Sequence, residues 1–292
     1  MLDTRDLMTF LAVIEEESFE AAARVLHVTP GAVSHRIKQL EESVGTLLVK
    51  RLLPTQVTSA GEVVLRLAQQ VRMLQMDTRQ ELSEANSAVN ARLTIALNDD
   101  SLSTWFLAAI LPVIRAHDVS LDLRMGDHEH TNQLLRDGTA IAAITTDPKP
   151  VRGCVIKAIG AMRYKAVATR EFQQEYFAQG FDEQGLERAP TILFDRQDTM
   201  TDRFCRQLFG QTFQMPVHYI PSSRSLIDAA IMGLGWCMAP EKLITEDCAS
   251  GRLVELAPDQ SLDIELFWQA FKLNTQLLKE LTQSISISID AG

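Results

Sequence analysis

The chain reads as an α+β multidomain protein: an N-terminal winged helix-turn-helix, a long linker helix, and a two-lobed α/β region. Three observations predict this. Two short helices meet at a tight turn between Ser18 and Leu40. A helical period then runs without Pro or Gly from just after Gly61 to about Asn86. Beyond Ala91, short apolar strands alternate with helical stretches, as in a parallel sheet with crossover helices.

The first element pair is SFEAAARVLHVTPGAVSHRIKQLEESVG. Ser18 is placed to cap a helix whose Phe19, Ala22, Ala23 and Leu26 share a face, with Ala22 small enough for a close helix crossing. His27-Val28 turns the chain. Thr29 caps the next helix and Pro30 takes its first position, where a missing N–H costs nothing. Val33, Ile37 and Leu40 recur at helical spacing and point inward. Ser34, His35 and Lys38 then face outward, with Gly31 and Ala32 at the leading end. Short polar residues there allow a helix to approach base edges and phosphates in a major groove.

Leu47 to Arg51 and Gln56 to Thr58 are expected as two short strands around a turn at Pro54, a wing that would bring Lys50 and Arg51 to phosphates. Between Arg24 and Arg51, five basic residues stand against Glu41 and Glu42, in a chain of net charge −10. A solvated charged face would look the same in isolation; its place on a winged helix-turn-helix favours double-stranded DNA. The DNA-contacting set is therefore Thr29, Pro30, Gly31, Ser34, His35, Lys38, Lys50 and Arg51.

The segment from Leu7 to Gly61 resembles the DNA-binding domain of LysR-type transcriptional regulators, through FLAVIEEESFEAAARVLHVTPGAVSHRIKQLEESVGTLLVKR and the VTSAG that ends the wing. Pro30 departs from the family pattern, which usually has Gln there, and Gly31 stands where Ser or Pro is common. The base contact associated with that Gln is missing or reassigned, and the operator sequence does not follow.

At 292 residues the chain exceeds a usual single core. Its 46% hydrophobic and 23% charged residues are ordinary for a globular protein. Asp3, Arg5 and Asp6 interrupt any leading apolar run, and no stretch approaches a membrane span, so a cytoplasmic protein with no membrane partner is expected. A pI near 5.1 excludes broad nucleic-acid coating and confines basic surface to a small part. Cys154, Cys205, Cys237 and Cys248 form no C-x-x-C pair, and Cys237 within LGWCMAP reads as a buried small hydrophobe. A redox switch, which one branch of the LysR-type family uses, is the lesser reading. No cofactor or metal is expected.

The linker helix carries Val64, Leu67, Val71, Leu74 and Thr78 in steps of three and four, a seam for pairing with a second copy into a homodimer or homotetramer. Its first turns are expected against its own helix-turn-helix. Strands are expected at Leu93–Leu97, Leu121–Met125, Ile141–Ile144, Cys154–Ile159 and Tyr164–Ala168, the last crossing into a second lobe. There Ile192–Phe194, Val217–Ile220, Trp236–Met238 and Leu253–Leu256 alternate with helices at Met200–Phe209, Arg224–Met232 and Lys242–Cys248. The chain returns through Ile264–Phe271 to a helix near Thr275–Ile285. The expected boundaries are 1–58, 59–90 and 91–292, with lobe I at about 91–162 and 265–292 and lobe II at about 163–264. This arrangement is similar to the periplasmic-binding-protein-like effector domain of the LysR-type family.

Open α/β sheets bind ligands at the carboxyl ends of their strands. After the first strand, Ser101, Ser103 and Thr104 offer hydroxyls at a helix start, suited to a carboxylate; helix capping explains one of them but not all three. Asp127 and Glu129 follow the second strand, Thr145 the third, and Asp195 and Asp198 the strand ending at Phe194. Each acid alone is a common cap, but several on strand ends suit an ammonium or guanidinium. NDDSLSTWFL, FDRQDTM and SSRSLIDAAIMGLGWCMAP resemble the branch of the family that senses arginine or lysine and activates export of basic amino acids, which implies such an effector. His128-Glu129-His130 offers two metal ligands but no third. The alternative within the class is a regulator of another small metabolite; an enzyme is the lesser rival, since no G-x-S-x-G elbow, Walker A loop or strand-following G-x-G-x-x-G occurs.

Overall fold

The computed structural model describes residues 2–82, 92–117, 119–126 and 128–288, with the backbone alone at 80, 128–130 and 287–288. In order, the chain forms α1 (Thr4–Glu15), α2 (Phe19–Val25), α3 (Pro30–Val44), β1 (Val49–Lys50), β2 (Gln56–Val57) and α4 (Ser59–Glu81). Next come β3 (Arg92–Leu97), then α5 (Asp99–Ser101), a π-helical turn (Leu102–Phe106) and α6 (Leu107–His117) without a break. β4 (Ser120–Met125), α7 (His128–Arg136), β5 (Ala142–Thr145) and β6 (Cys154–Ala168) follow. The remainder is α8 (Arg170–Tyr176), α9 (Glu183–Arg188), β7 (Thr191–Leu193), α10 (Met200–Phe209), β8 (Val217–Tyr219), α11 (Ser223–Ile231), β9 (Cys237–Pro240), α12 (Glu241–Ala249), β10 (Val254–Glu255), β11 (Leu262–Phe271) and α13 (Gln276–Ser288).

Two compact units result. One holds residues 1–97, 110–157 and 268–284; the other holds 98–109, 158–267 and 285–292. The helix-turn-helix head thus shares a unit with the first α/β lobe. β6 and β11 each contribute residues to both units.

The head forms as its local signals direct. The Ser18 hydroxyl accepts from Ala21 N at 3.3 Å, and the Thr29 hydroxyl accepts from Ala32 N at 3.2 Å. His27, at φ 53, makes the turn between α2 and α3. Phe10, Leu11, Ala22, Val33, Ile37 and Leu40 form one core with Leu48 of the wing and Val64, Leu65 and Ala68 of α4. The wing strands pair antiparallel but span only two residues each, shorter than the expected runs. Thr58 locks wing to helix: its hydroxyl donates to the Leu47 carbonyl at 2.7 Å and accepts from Gly61 N at 3.0 Å. Gly61 is required here because a Cβ would overlap the Leu48 carbonyl.

On α4 the expected seam divides. Val64 is buried in the head's own core and Val71 packs partly against it, so neither belongs to an exposed stripe. The open apolar stripe is instead Val63, Leu67 and Leu74, at 58%, 38% and 47% exposure. Two adjacent apolar faces lie where the spacing suggests one. The expected continuation to Asn86 lies partly outside the described residues.

In the first lobe, β3 lies between β4 and β5, parallel to both, as the alternation predicts. Gly138, in the left-handed region at φ 82, brings the α7–β5 turn against the backbone of Arg66 on α4, where any side chain would collide. α7 begins at His128 and ends at Arg136. In the second unit, β9 and β10 each pair antiparallel with β6, and β7 pairs parallel with β8. Val167, Ile192, Leu226, Ile227, Cys237 and Ile244 fill the core there. The two strands expected at Cys154–Ile159 and Tyr164–Ala168 are one, with Gly160 inside it. Helices α8 and α9 add to the expected elements, with Thr169 and Asp182 as their caps. No helix among the described residues is long and apolar enough to cross a membrane.

Candidate DNA-binding face and effector site

On α3, Gly31, His35 and Lys38 are exposed beside half-buried Ser34, opposite the buried Val33, Ile37 and Leu40. Thr29 and Pro30 are exposed at its start. Lys38 reaches Glu42 at 3.6 Å, an exposed pair that leaves its charge available. Lys50 is exposed on the wing, in register with Gln56. The Arg51 guanidinium lies 5.1 Å from the centroid of Phe19, so a cation–π contact ties the wing to the first residue of α2. The set therefore shares one head. Gln39, Gln56 and Leu53 are exposed there too, and the sequence reading passed over them.

The candidate effector residues of the second unit gather around 98–104. The Asp99 carboxylate accepts from Ser223 N, the first residue of α11, at 2.6 Å. Asp100 accepts from the Tyr164 hydroxyl at 2.5 Å. Burial pushes the Asp100 carboxyl up from its ordinary value, against hydrogen bonds from Ser223 and Tyr164, and the charges of Asp99 and Asp198 add to the rise. Burial and then Asp100 push the Tyr164 hydroxyl well above its usual range. A buried acid facing further acids favours an added cation.

Hydroxyls are divided in the same place. Ser101 is fully buried and its hydroxyl has no partner; the carbonyl oxygen of the Asn98 side chain and the Thr201 hydroxyl, at the start of α10, are likewise buried and unmatched. Buried polar atoms of this kind call for a ligand or water. Thr104 donates back to the Asp100 carbonyl at 2.7 Å, and Ser103 is exposed.

Asp195 and Asp198 first serve their own loop. Asp195 accepts from Gln197 N and Asp198 N at 2.7 and 3.0 Å, and Asp198 accepts from Phe194 N and Met200 N at 3.0 and 2.8 Å. Asp198 still acts electrostatically on Asp100 and Tyr164. Thr145, buried in the first unit, accepts from Asp147 N at 3.2 Å. Glu129 lies in the first turn of α7, and Asp127 falls outside the described residues. Sequence reasoning does not single out Asp99, Asp100, Tyr164, Thr201 or Ser223, although the NDD and SSRSL runs hold Asp99, Asp100 and Ser223.

The cysteines are free. Burial pushes the Cys154 and Cys205 thiols up to about 11 and raises those of Cys237 and Cys248. This is opposite to the direction that makes a thiol reactive. Among the described residues no group of three or more His, Cys, Asp or Glu is placed to hold a metal.

Comparison with known proteins bears on both regions. Residues 4–62 match the model of the bacterial regulatory helix-turn-helix protein, lysR family, and residues 86–286 match the LysR substrate binding domain. The HTH-type transcriptional regulator LysG of Mycobacterium tuberculosis is 40% identical over 284 residues, covering 97% of this chain and 92% of the relative. The HTH-type transcriptional regulator ArgP of Proteus mirabilis is 36% identical over 285 residues, covering 97% and 94%. Among solved structures, ArgP from Mycobacterium tuberculosis superposes with a TM-score of 0.84 at 40% identity, covering 98% and 97% of the two chains. Full-length LysG from Corynebacterium glutamicum with bound effector Arg gives 0.74 at 33% identity, covering 97% and 96%. With both halves matched and relatives similar from end to end, the chain belongs to the LysR family of bacterial DNA-binding transcriptional regulators.

Proposed function

We propose that a basic amino acid, arginine or lysine, is the effector that modulates this regulator's promoter binding. The observation that carries the reading is the acidic pair Asp99 and Asp100, which accept from Ser223 N and the Tyr164 hydroxyl, with the charge of Asp198 acting on Asp100. An ammonium or guanidinium satisfies that cluster through charge-assisted hydrogen bonds. The unmatched hydroxyl of Ser101 suits the α-carboxylate of the same molecule. Relatives named LysG and ArgP, and the LysG structure with bound Arg, support the same ligand class.

In this reading Thr29, Pro30, Gly31, Ser34, His35, Lys38, Lys50 and Arg51 contact DNA. For the effector, Ser101, Ser103, Thr104, Asp195 and Asp198 of the second unit are proposed with Asp100 and Tyr164, and Asp127, Glu129 and Thr145 are proposed on the sequence pattern alone. The division is a head to 58, a linker to 90 and an effector domain beyond. The chain works in the cytoplasm as a homodimer or homotetramer joined through Val63, Leu67 and Leu74 of α4. Thermal shift across the twenty amino acids tests the effector: arginine or lysine alone should raise the melting temperature of the full-length protein. No response to either, with a response to an acidic or apolar amino acid, would overturn the assignment.

A further inference from the structure

The turn after α1 is held by residues that lie outside the helix-turn-helix. Arg72 of α4 donates from Nη1 to the Glu15 carboxylate at 2.7 Å. From Nη2 it donates to the Gln69 side chain at 2.7 Å and to the Arg92 carbonyl at 2.8 Å. Arg92, the first residue of β3, donates to the Glu15 carbonyl and the Glu16 carboxylate, both at 3.4 Å. The Arg72–Glu15 pair is largely buried, at 13% and 19% side-chain exposure. The next residue, Glu17, accepts through its carbonyl from Thr55 N of the wing loop at 2.9 Å. Three consecutive residues thus touch α4, the start of β3 and the wing. The carboxylates at the negative end of α1 find their cations on α4 and β3.

We propose that Arg72 and Arg92 are positioning residues that clamp the α1–α2 turn to the start of β3 and so transmit movement of that strand to the DNA-binding head. β3 ends at Leu97, immediately before the 98–104 segment, so a strand of six residues separates the clamp from the effector residues. Elsewhere α4 is fixed to the first lobe: Asp77 accepts from Gln276 N at 2.6 Å, and the Arg66 backbone meets Gly138. With α4 anchored at both places, the clamp is where displacement of β3 reaches the turn. A buried ion pair adds little net stability over apolar packing, but it fixes geometry. The inference rests on the effector reading above, and its test separates the two.

The test uses the full-length protein, arginine as the probe, and a duplex selected by the parent from a random pool. Glu15→Gln with Arg72→Gln removes the buried pair without leaving a lone charge; Arg92→Gln, at a partly exposed residue, is the second variant, and Arg92→Lys is the conservative rescue. Arginine affinity by calorimetry should stay within about twofold of the parent, because none of the substituted side chains belongs to the effector set. The ratio of duplex affinities with and without arginine, ordinarily about 5–150-fold in coupled systems, should collapse towards unity in both variants and recover in Arg92→Lys. A role confined to stability would leave that ratio unchanged, and an unchanged ratio overturns the proposal. If the parent fails to bind arginine, the effector reading falls, and hydrogen exchange decides the clamp. Amide exchange of Thr55 and Glu17 should be at least about tenfold faster in the variants, and parent-like exchange overturns the clamp.

Discussion

The helix-turn-helix head and the 98–104 segment both place polar side chains at helix starts, with opposite results. In the head, the Ser18, Thr29 and Thr58 hydroxyls each accept from a backbone N–H, and the polar groups are satisfied by the residues around them. In the effector segment, Ser101 is buried with no partner, and Asp100 is buried opposite like charges. Satisfied groups build the fold, whereas a buried hydroxyl left unmatched, as in Ser101, calls for a ligand or water. α4 repeats the contrast along one helix: Val64 is covered by its own head, while Leu67 is open.

The largest expected effect exploits that contrast on α4. Val64→Asp buries a charge in the head core and should cost several kcal/mol, read as loss of the head's cooperative unfolding transition. Leu67→Asp should leave the head folded yet reduce the particle mass in light scattering, with DNA binding falling alongside. An unchanged mass would place the subunit contact elsewhere. Next, Gly61→Ala forces a methyl against the Leu48 carbonyl and should cost roughly 3 kcal/mol, measured by urea unfolding. The hydroxyls then separate. Thr29→Ala should cost about 1 kcal/mol by removing a cap, whereas Ser101→Ala should leave effector-free stability unchanged or slightly higher because it breaks no hydrogen bond. Equal losses from the two substitutions would end the distinction between the regions.

The smallest effect is on pH. The raised Asp100 carboxyl holds its proton more tightly folded than unfolded. Its contribution to stability is therefore present below the unfolded value of 3.8 and is lost as pH rises through the folded one. A bound cation favours the ionised form, so arginine binding should release a proton within that window, and affinity should increase with pH across it. Calorimetry in buffers of different ionisation enthalpy reads the proton directly, and Asp100→Asn should abolish it.

The sequence carries the head almost residue by residue, because its signals are local: a cap three residues from its donor, a proline at the first helical position, an apolar step of three or four. The wing's end is equally legible in Thr58 and Gly61. Periodicity fails on α4, where a buried and an open stripe sit side by side and their residues interleave in sequence. It fails again at β6, because Gly160 looks like a break in an isolated reading. The effector segment is half legible. Ser101 stands out as a hydroxyl at a strand end, but Asp99 and Asp100 take their meaning from Ser223 and Tyr164, far along the chain. Asp195 and Asp198 carry the right charge, yet their first partners are backbone amides of their own loop.

The central claim is that the acids and the unmatched Ser101 hydroxyl around 98–104 receive a basic amino acid. Calorimetric titration of the full-length protein with arginine, on the parent and on Asp100→Asn and Ser101→Ala, tests it most directly. The account predicts saturable binding by the parent. It predicts weakening by about 2–5 kcal/mol, tens-fold or more, when the charged acceptor is removed. Loss of one neutral hydroxyl contact should cost about 1 kcal/mol. Equal affinity in all three proteins, or binding of an acidic metabolite in place of arginine and lysine, would contradict it.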